Sequence, residues 1–520
     1  MADTNGEPEK ARRPSLQVIV LGAGGGPQED NTTSLLVRSV ASGWTKGSII
    51  SVDAGVGLSA ITRVFEKTTP SGLGTEVPLP HILKDGPFAG LELTAGMLPP
   101  EEMTLYPSDI AAYITRSLID TYLITHPHLD HFSGFVVNTA GLTRPKRVAA
   151  LPHTVDALRT NVFNNVIWPN LSDENNGAGL VTFTRLVEGG SPAIGEGEAK
   201  GYLEVADRIA VKVHAVSHGH CVERHPHRGS TSSTATPLRY GSVDAASVAS
   251  PRILPYNMVN TARNHSIVPG ELQASTCVVD SSAYFILDLA TNQEILVFGD
   301  VEPDSLSLSP RNYLVWQEAA PKIVSGQLGA IFIECSYDES QSVDRLFGHL
   351  KPSFLIEELR NLAQEVENAR NVLHPSRKRK RVADTDTIPR RRTGGAFGRL
   401  ASGDETPISP KSVARRQMSA DVSHVPPLPP AATSAESPHL TAPTQELSLR
   451  EAELGVSESE DGHPSGLPLK GLKIVIIHVK ERFDGRNIRN VILNELQAHE
   501  EVAQLGCEFI VSRQGQSIYL

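Results

Sequence analysis

Residues 125–134 read THPHLDHFSG, which puts His126, His128, Asp130 and His131 within a single short loop. Imidazole and carboxylate are the ligands that divalent zinc favours. Residues two apart in extended backbone project to the same side, so His126 and His128 can face one ion. Asp130 and His131 follow after a turn and can face a second. The run DTYLITH (120–126) just ahead reads as a strand that opens directly into the motif. Gly134 relieves crowding where the chain turns into a helix. Histidines gathered by chance on a solvated loop would account for neither the spacing nor the strand before it.

One loop cannot complete two metal shells, because four-coordinate zinc needs further ligands. Candidates stand at the ends of later apolar runs: His218 in KVHAVSHG, Asp300 in EILVFGD and His478 in KIVIIHV. Each is weak alone. A histidine near a strand end is more often a core or surface residue than a ligand, and an aspartate there is more often a helix cap. His214, His220, His225 and His227 compete with His218, which is preferred because a Ser-His-Gly turn is expected to follow its strand.

The His-x-His-x-Asp-His pattern, followed in order by one histidine, one aspartate and a last histidine, resembles the metallo-β-lactamase superfamily. The resemblance implies an α/β fold, a four-layer αβ/βα sandwich, and two divalent metal ions, for which zinc fits the ligands best. His126, His128 and His218 would take the first metal, Asp130, His131 and His478 the second, and Asp300 would bridge them. SVDAG (51–55) resembles the superfamily's early strand, where Asp53 supports the metal loop without binding metal. GAGGGP (22–27) lacks the helix that a dinucleotide fingerprint requires, since Gln28, Glu29 and Asp30 come next. It reads as a turn that lets backbone approach the site.

A narrower resemblance follows from THPHLDHFSGFVVNT (125–139), which is similar to the signature of class II cyclic-nucleotide phosphodiesterases. Phe132, Phe135 and Thr139 depart from that pattern, and none is a proposed ligand. GGGPQEDNTTSLLV near the start, SHG (217–219), the GHL of LFGHLKP and LKGLKIVIIHVK are similar too. The resemblance implies hydrolysis of 3′,5′-cyclic AMP, with cyclic GMP as a second candidate, to the 5′-monophosphate. A general acid must protonate the leaving 3′ oxygen. Asp130 and His349, the latter in LFGHL, are the candidates, although His349 reads equally well as a structural histidine. A transfer-RNA 3′-processing endonuclease would share the metal layout but needs a basic surface. A non-catalytic scaffold of the same fold would be expected to have lost ligands, and all seven are present.

Composition sets the frame. A net charge of -11 and a pI near 5.9 give no general attraction for nucleic acid or an anionic membrane; the small cyclic nucleotide expected as partner is what the family resemblance implies. With 39% hydrophobic residues, 42 Gly and 36 Pro, part of the chain is expected to stay unfolded. That part is 366–466, where Ser, Pro, Thr, Glu and Arg dominate and no apolar period survives. A flexible tail (1–14), a catalytic domain in two pieces (15–365 and 467–520) and this disordered insertion make up the expected organisation. Residues 222–250 read as a surface loop. The runs RKRKR (377–381) and RRR (390–392) read as a nuclear-import signal or a solvated charge run. Four cysteines far apart, no signal-peptide core and no apolar run of roughly 18 to 20 residues suggest a soluble cytoplasmic protein.

Overall fold

Side chains alternate along a strand, and in this chain the alternation separates three apolar layers. Leu16, Val18 and Val20 join Val213, Ile286, Phe332 and Val475 in a layer between two sheets. From the same first strand, Ile19 and Leu21 face the other way, against helices. Ile331, Ile333, Ile474 and Ile476 do the same on the second sheet. Strands buried on both faces read as continuous apolar runs, which is why LQVIVLG and GAIFIE carry no polar alternation. The computed structural model describes residues 14–68, 79–97, 106–223, 231–232, 275–373 and 466–520.

The first sheet has the order Ser517–Tyr519, Leu16–Gly22, Ser34–Ser39, Ile49–Val52, Ile119–Leu123, Lys146–Ala150, Val181–Arg185. The second runs Glu508–Val511, Lys473–Ile477, Leu328–Glu334, Glu294–Phe298, Ser275–Asp288, Ile209–Glu223, Leu203–Ala206. Helices α1 (Leu58–Thr68), α2 (Pro107–Tyr113), α3 (Leu129–Asn138) and α4 (Pro152–Asn161) pack on the outer face of the first. Helices α5 (Asn312–Val324), α6 (Pro352–Leu373) and α7 (Ile488–Ala503) pack on the outer face of the second. This is the four-layer αβ/βα sandwich anticipated for a metallo-β-lactamase-type chain. Each sheet is parallel on one side and antiparallel on the other. The carboxyl ends of the parallel strands form the rim where the site is built, as is usual for such sheets.

The run STCVVDSSAYFILD forms one strand, Ser275–Asp288, whose ladder with Ile209–Glu223 continues unbroken through Ser282 and Ala283. The last strand is Ser517–Tyr519, which closes the first sheet beside Leu16–Gly22. Helix α6 continues to Leu373, with Val366 fully buried under it, so residues 366–373 belong to the fold and the expected insertion begins later. Residues 374–465, with both basic runs, lie outside the described residues, as does most of 222–250. Among the described residues no helix is long and apolar enough to cross a membrane.

Under α5 and α6, the Glu358 carboxylate accepts hydrogen bonds from Trp316 Nε1 (2.7 Å) and the Asp304 amide (2.7 Å). Burial outweighs these bonds and pushes its pKa up from 4.5 to about 7. The folded chain therefore keeps a proton that the unfolded chain gives up. The contribution is fully present below about pH 4.5 and is lost as pH rises through about 7, on the order of 3 kcal/mol over that window. In denaturant titrations, Glu358→Gln should remove this downward slope relative to wild type. Parallel pH profiles for the two proteins would show that Glu358 is not the group responsible.

Candidate metal centre

The THPHLDH loop leaves the first sheet at Leu123 and enters α3 at Leu129. Hydrogen bonds from the Thr125 amide and hydroxyl to Asp53 (2.8 and 3.0 Å) fix its start. Gly134 of α3 lies so close to the chain at Gly55–Val56 that a Cβ would come within 2.7 Å of the Val56 carbonyl carbon, so a larger residue would lift the helix and its ligands off the sheet. Across the rim, the second sheet contributes His218, Asp300, Glu334 and His478.

All seven expected ligands come together. His126, His128, His218 and Asp300 present ligand atoms within 4.8 Å of one another, and so do Asp130, His131, Asp300 and His478. Asp300 belongs to both groups. Its Oδ2 lies 3.2 Å from His478 Nε2, 3.5 Å from His218 Nε2 and 3.6 Å from His126 Nε2, and its Oδ1 lies 3.2 Å from His131 Nε2. Asp130 Oδ2 is 3.7 Å from His478 Nε2 and 3.8 Å from His131 Nε2. Two of the competing histidines fall away. His214 faces α5 and bonds Glu318 at 2.7 Å, His220 is exposed, and His225 and His227 lie outside the described residues.

His218 is not at a strand end, as expected, but inside Ile209–Glu223 at a break in register between Ser217 and His220. Gly219, at φ +75°, supplies the bulge. A bulge re-aims the side chain beside it, and here it turns His218 into the site without ending the strand. His478 is itself left-handed, at φ +57°. Its carbonyl accepts from Ser336 Oγ (2.9 Å), while Val479 exchanges backbone bonds with Ala23 and Gly25 (both 3.1 Å). GAGGGP thus does bring backbone to the site: a Cβ on Gly25 would lie 2.5 Å from His478 Nε2.

The donor set fits metal. Buried Nε2 atoms of His126, His131 and His478 and Oδ1 of Asp300 make no well-formed hydrogen bond, a costly arrangement unless a cation completes it. The opposite ring nitrogens are all engaged. His131 Nδ1 meets Asp53 Oδ2 at 2.7 Å, His478 Nδ1 meets Thr33 Oγ1 at 2.7 Å, His126 Nδ1 meets Thr125 Oγ1 at 3.1 Å, and His218 Nδ1 meets the Gly348 carbonyl at 2.8 Å. Such partners fix the tautomer and leave Nε2 as the ligand atom.

Burial pushes His126 and His478 well below the usual imidazole range and His218 down to about 3, which keeps these rings in the neutral, ligating form. At His131 burial acts the same way, but the carboxylates of Asp300 and Asp53 outweigh it and raise the pKa. Burial likewise opposes ionisation of Asp300, yet the surrounding His131, His478 and His126 hold its carboxyl well below the usual range.

A further group was not foreseen. Glu334, fully buried at the end of Leu328–Glu334, clusters with His349, His218 and Asp300. It accepts from His349 Nδ1 (2.9 Å) and from the Val301 amide (2.8 Å). The one sign of it in the sequence is a carboxylate closing an otherwise apolar strand, the same sign that Asp300 gives.

The model of the family described as cAMP phosphodiesterases class-II matches residues 102–375. The chain belongs to that family. A 3′,5′-cyclic-nucleotide phosphodiesterase of Candida albicans is 26% identical over 392 residues, 68% of this chain and 83% of that protein. The 3′,5′-cyclic-nucleotide phosphodiesterase 1 of Saccharomyces cerevisiae is 24% identical, over 67% of this chain and 82% of that protein. The crystal structure of unliganded yeast PDE1 superposes with a TM-score of 0.53 at 19% identity, covering 98% of this chain and all of that one, and so shares the fold.

Within this class-II phosphodiesterase, Asp53 is expected to hold His131 in place and not to bind metal. Asp53→Ala should weaken metal retention about 10- to 100-fold against a competing chelator. Retention equal to wild type would remove Asp53 from the metal centre.

Proposed function

We propose that this chain hydrolyses 3′,5′-cyclic AMP to 5′-AMP at a centre of two zinc ions, with His126, His128, His218 and Asp300 holding one and Asp130, His131, His478 and Asp300 the other. The observation that carries this reading is the convergence of two ligand groups on one buried carboxylate, Asp300, in a member of a cyclic-AMP phosphodiesterase family. Zinc suits a set dominated by imidazole with few carboxylates. When bound, such a metal pair supplies Lewis acidity that lowers the pKa of water and offsets charge on phosphoryl oxygens.

The protein's own part is to orient and to move a proton. Asp53, Thr33, Thr125 and Gly348 hold the histidine rings in one tautomer, so the ligand atoms need no reorganisation when substrate arrives. The 3′ oxygen must leave with a proton. His349 suits this role better than Asp130. Its Nδ1 is held by Glu334, which leaves Nε2 to carry the proton, whereas Asp130 belongs to the second ligand group. The ring of His349 packs beside His218 and His478, at 4.7 and 5.4 Å between centroids, and so adjoins residues that would hold both metals.

Purified protein should form 5′-AMP from cyclic AMP, lose the activity to a chelator and regain it with zinc, and carry about two zinc ions per chain. Asp300→Ala should lose both metal and activity. Metal-replete protein that leaves cyclic AMP intact would refute the assignment, with cyclic GMP the next substrate to try. His349→Ala should lower kcat about 100-fold at full zinc content. It should lower it far less with a diester whose leaving group needs no proton. An equal loss on both substrates would exclude His349 as the acid.

A further inference from the structure

Among the described residues, two phenylalanines are strongly exposed: Phe347, at 71%, and Phe483, at 93%. Both lie on loops that follow strands carrying site residues, the first between Glu334 and α6 and the second just beyond His478. Arg482 laces these loops together through Asp338 Oδ1 (3.0 Å), Gln341 Oε1 (3.2 Å) and Ser340 Oγ (3.2 Å).

Phe347 is the more constrained of the two. It sits at φ +53°, a left-handed conformation that is disfavoured for a bulky residue. Its backbone is fixed from both sides. Leu346 before it is buried. Gly348 after it gives its carbonyl to His218 Nδ1 at 2.8 Å and packs backbone to backbone on the bulge, so that a Cβ there would lie 2.7 Å from Gly219 N. His349, two residues on, is buried in the cluster with Asp300. The chain thus adopts a disfavoured conformation within one residue of the metal-ligand support and uses it to hold an aromatic ring out in water. Neither the backbone nor the ring gains stability from this arrangement in the free protein. Strain and an exposed ring at the lip of a site suggest a partner that arrives with the substrate.

We propose that Phe347 is the platform on which the purine of the cyclic nucleotide stacks while its phosphate lies at the metal centre. The proposal rests on the phosphodiesterase reading above. A purine presents a flat π-face of the right kind for a phenyl ring, and base–aromatic stacking tolerates either adenine or guanine. Phe347 would then contribute affinity and not chemistry, since it offers no group to the phosphorus.

The test compares cyclic AMP with the 3′,5′-cyclic phosphate of methyl riboside, which keeps the sugar and phosphate but has no base. Phe347→Ala should raise KM for cyclic AMP about tenfold with kcat and zinc content unchanged, should leave the base-free substrate unaffected, and should be rescued by Phe347→Trp. An unchanged KM for cyclic AMP in the alanine variant would overturn stacking while the phosphodiesterase reading stands. A loss shared by both substrates would also overturn it, marking the residue as a support of the loop. Wild-type protein that cleaves neither substrate would overturn both readings.

Discussion

One buried carboxylate organises the molecule's working end. Asp300, 2% exposed, has five imidazole nitrogens within 3.8 Å, those of His126, His131, His218, His349 and His478. A desolvated carboxylate is tolerated only when opposite charge surrounds it. The rings around it are mostly kept neutral by their own burial, so they cannot fully supply that charge. The protein alone leaves the balance incomplete, and metal cations of the class its ligands select would complete it. Folding and metal uptake should therefore be coupled, because much of the site's buried polar surface is satisfied only when metal is present.

Bringing ligands from both sheets onto one carboxylate requires backbone that regular structure does not provide. The fold meets this with a few local departures: the bulge at His218 and Gly219 and left-handed residues at Asp53 and His478. Each is locked by neighbouring backbone. The Asp53 amide donates to the Leu123 carbonyl at 2.8 Å, and the residues after His478 are bonded into the GAGGGP turn. Such local conflicts with propensity concentrate where function demands them.

The same contrast explains what could be read from the sequence. THPHLDHFSG is legible because its candidate ligands are local and its strand is apolar. His218, Asp300 and His478 were legible only as a set, since each alone resembles an ordinary residue near a strand end. The role of Asp53 came from resemblance, and its bond to His131 is tertiary. Glu334 was missed because its partner, His349, is brought to it only by the return of the 335–351 loop. At Gly219 the sequence reads as a turn where the structure has a bulge, since both want a glycine with positive φ and the sequence does not show that the ladder resumes afterwards. The strand Ser517–Tyr519 is three residues long and derives its stability from pairing with Leu16–Gly22, so no local pattern announces it.

The last proposed ligand, His478, reaches the site although more than a hundred residues separate it from His349. The interrupted domain closes because the roots of the intervening segment are held together within the fold. Arg370, in the last turn of α6, donates to the Pro468 carbonyl at 2.8 Å, and Leu469 is buried in the same apolar layer that Ala369 packs against. The strand Lys473–Ile477 then pairs in parallel with Leu328–Glu334. Closure entropy grows only with the logarithm of loop length, about 0.6 kcal/mol per doubling. Burying Leu469, Ile474 and Ile476 contributes roughly 1.5 to 3 kcal/mol each. The gain from docking this strand therefore exceeds the extra closure penalty of a long insertion, so the position of His478 depends on the strand's apolar face and not on the length of chain that precedes it.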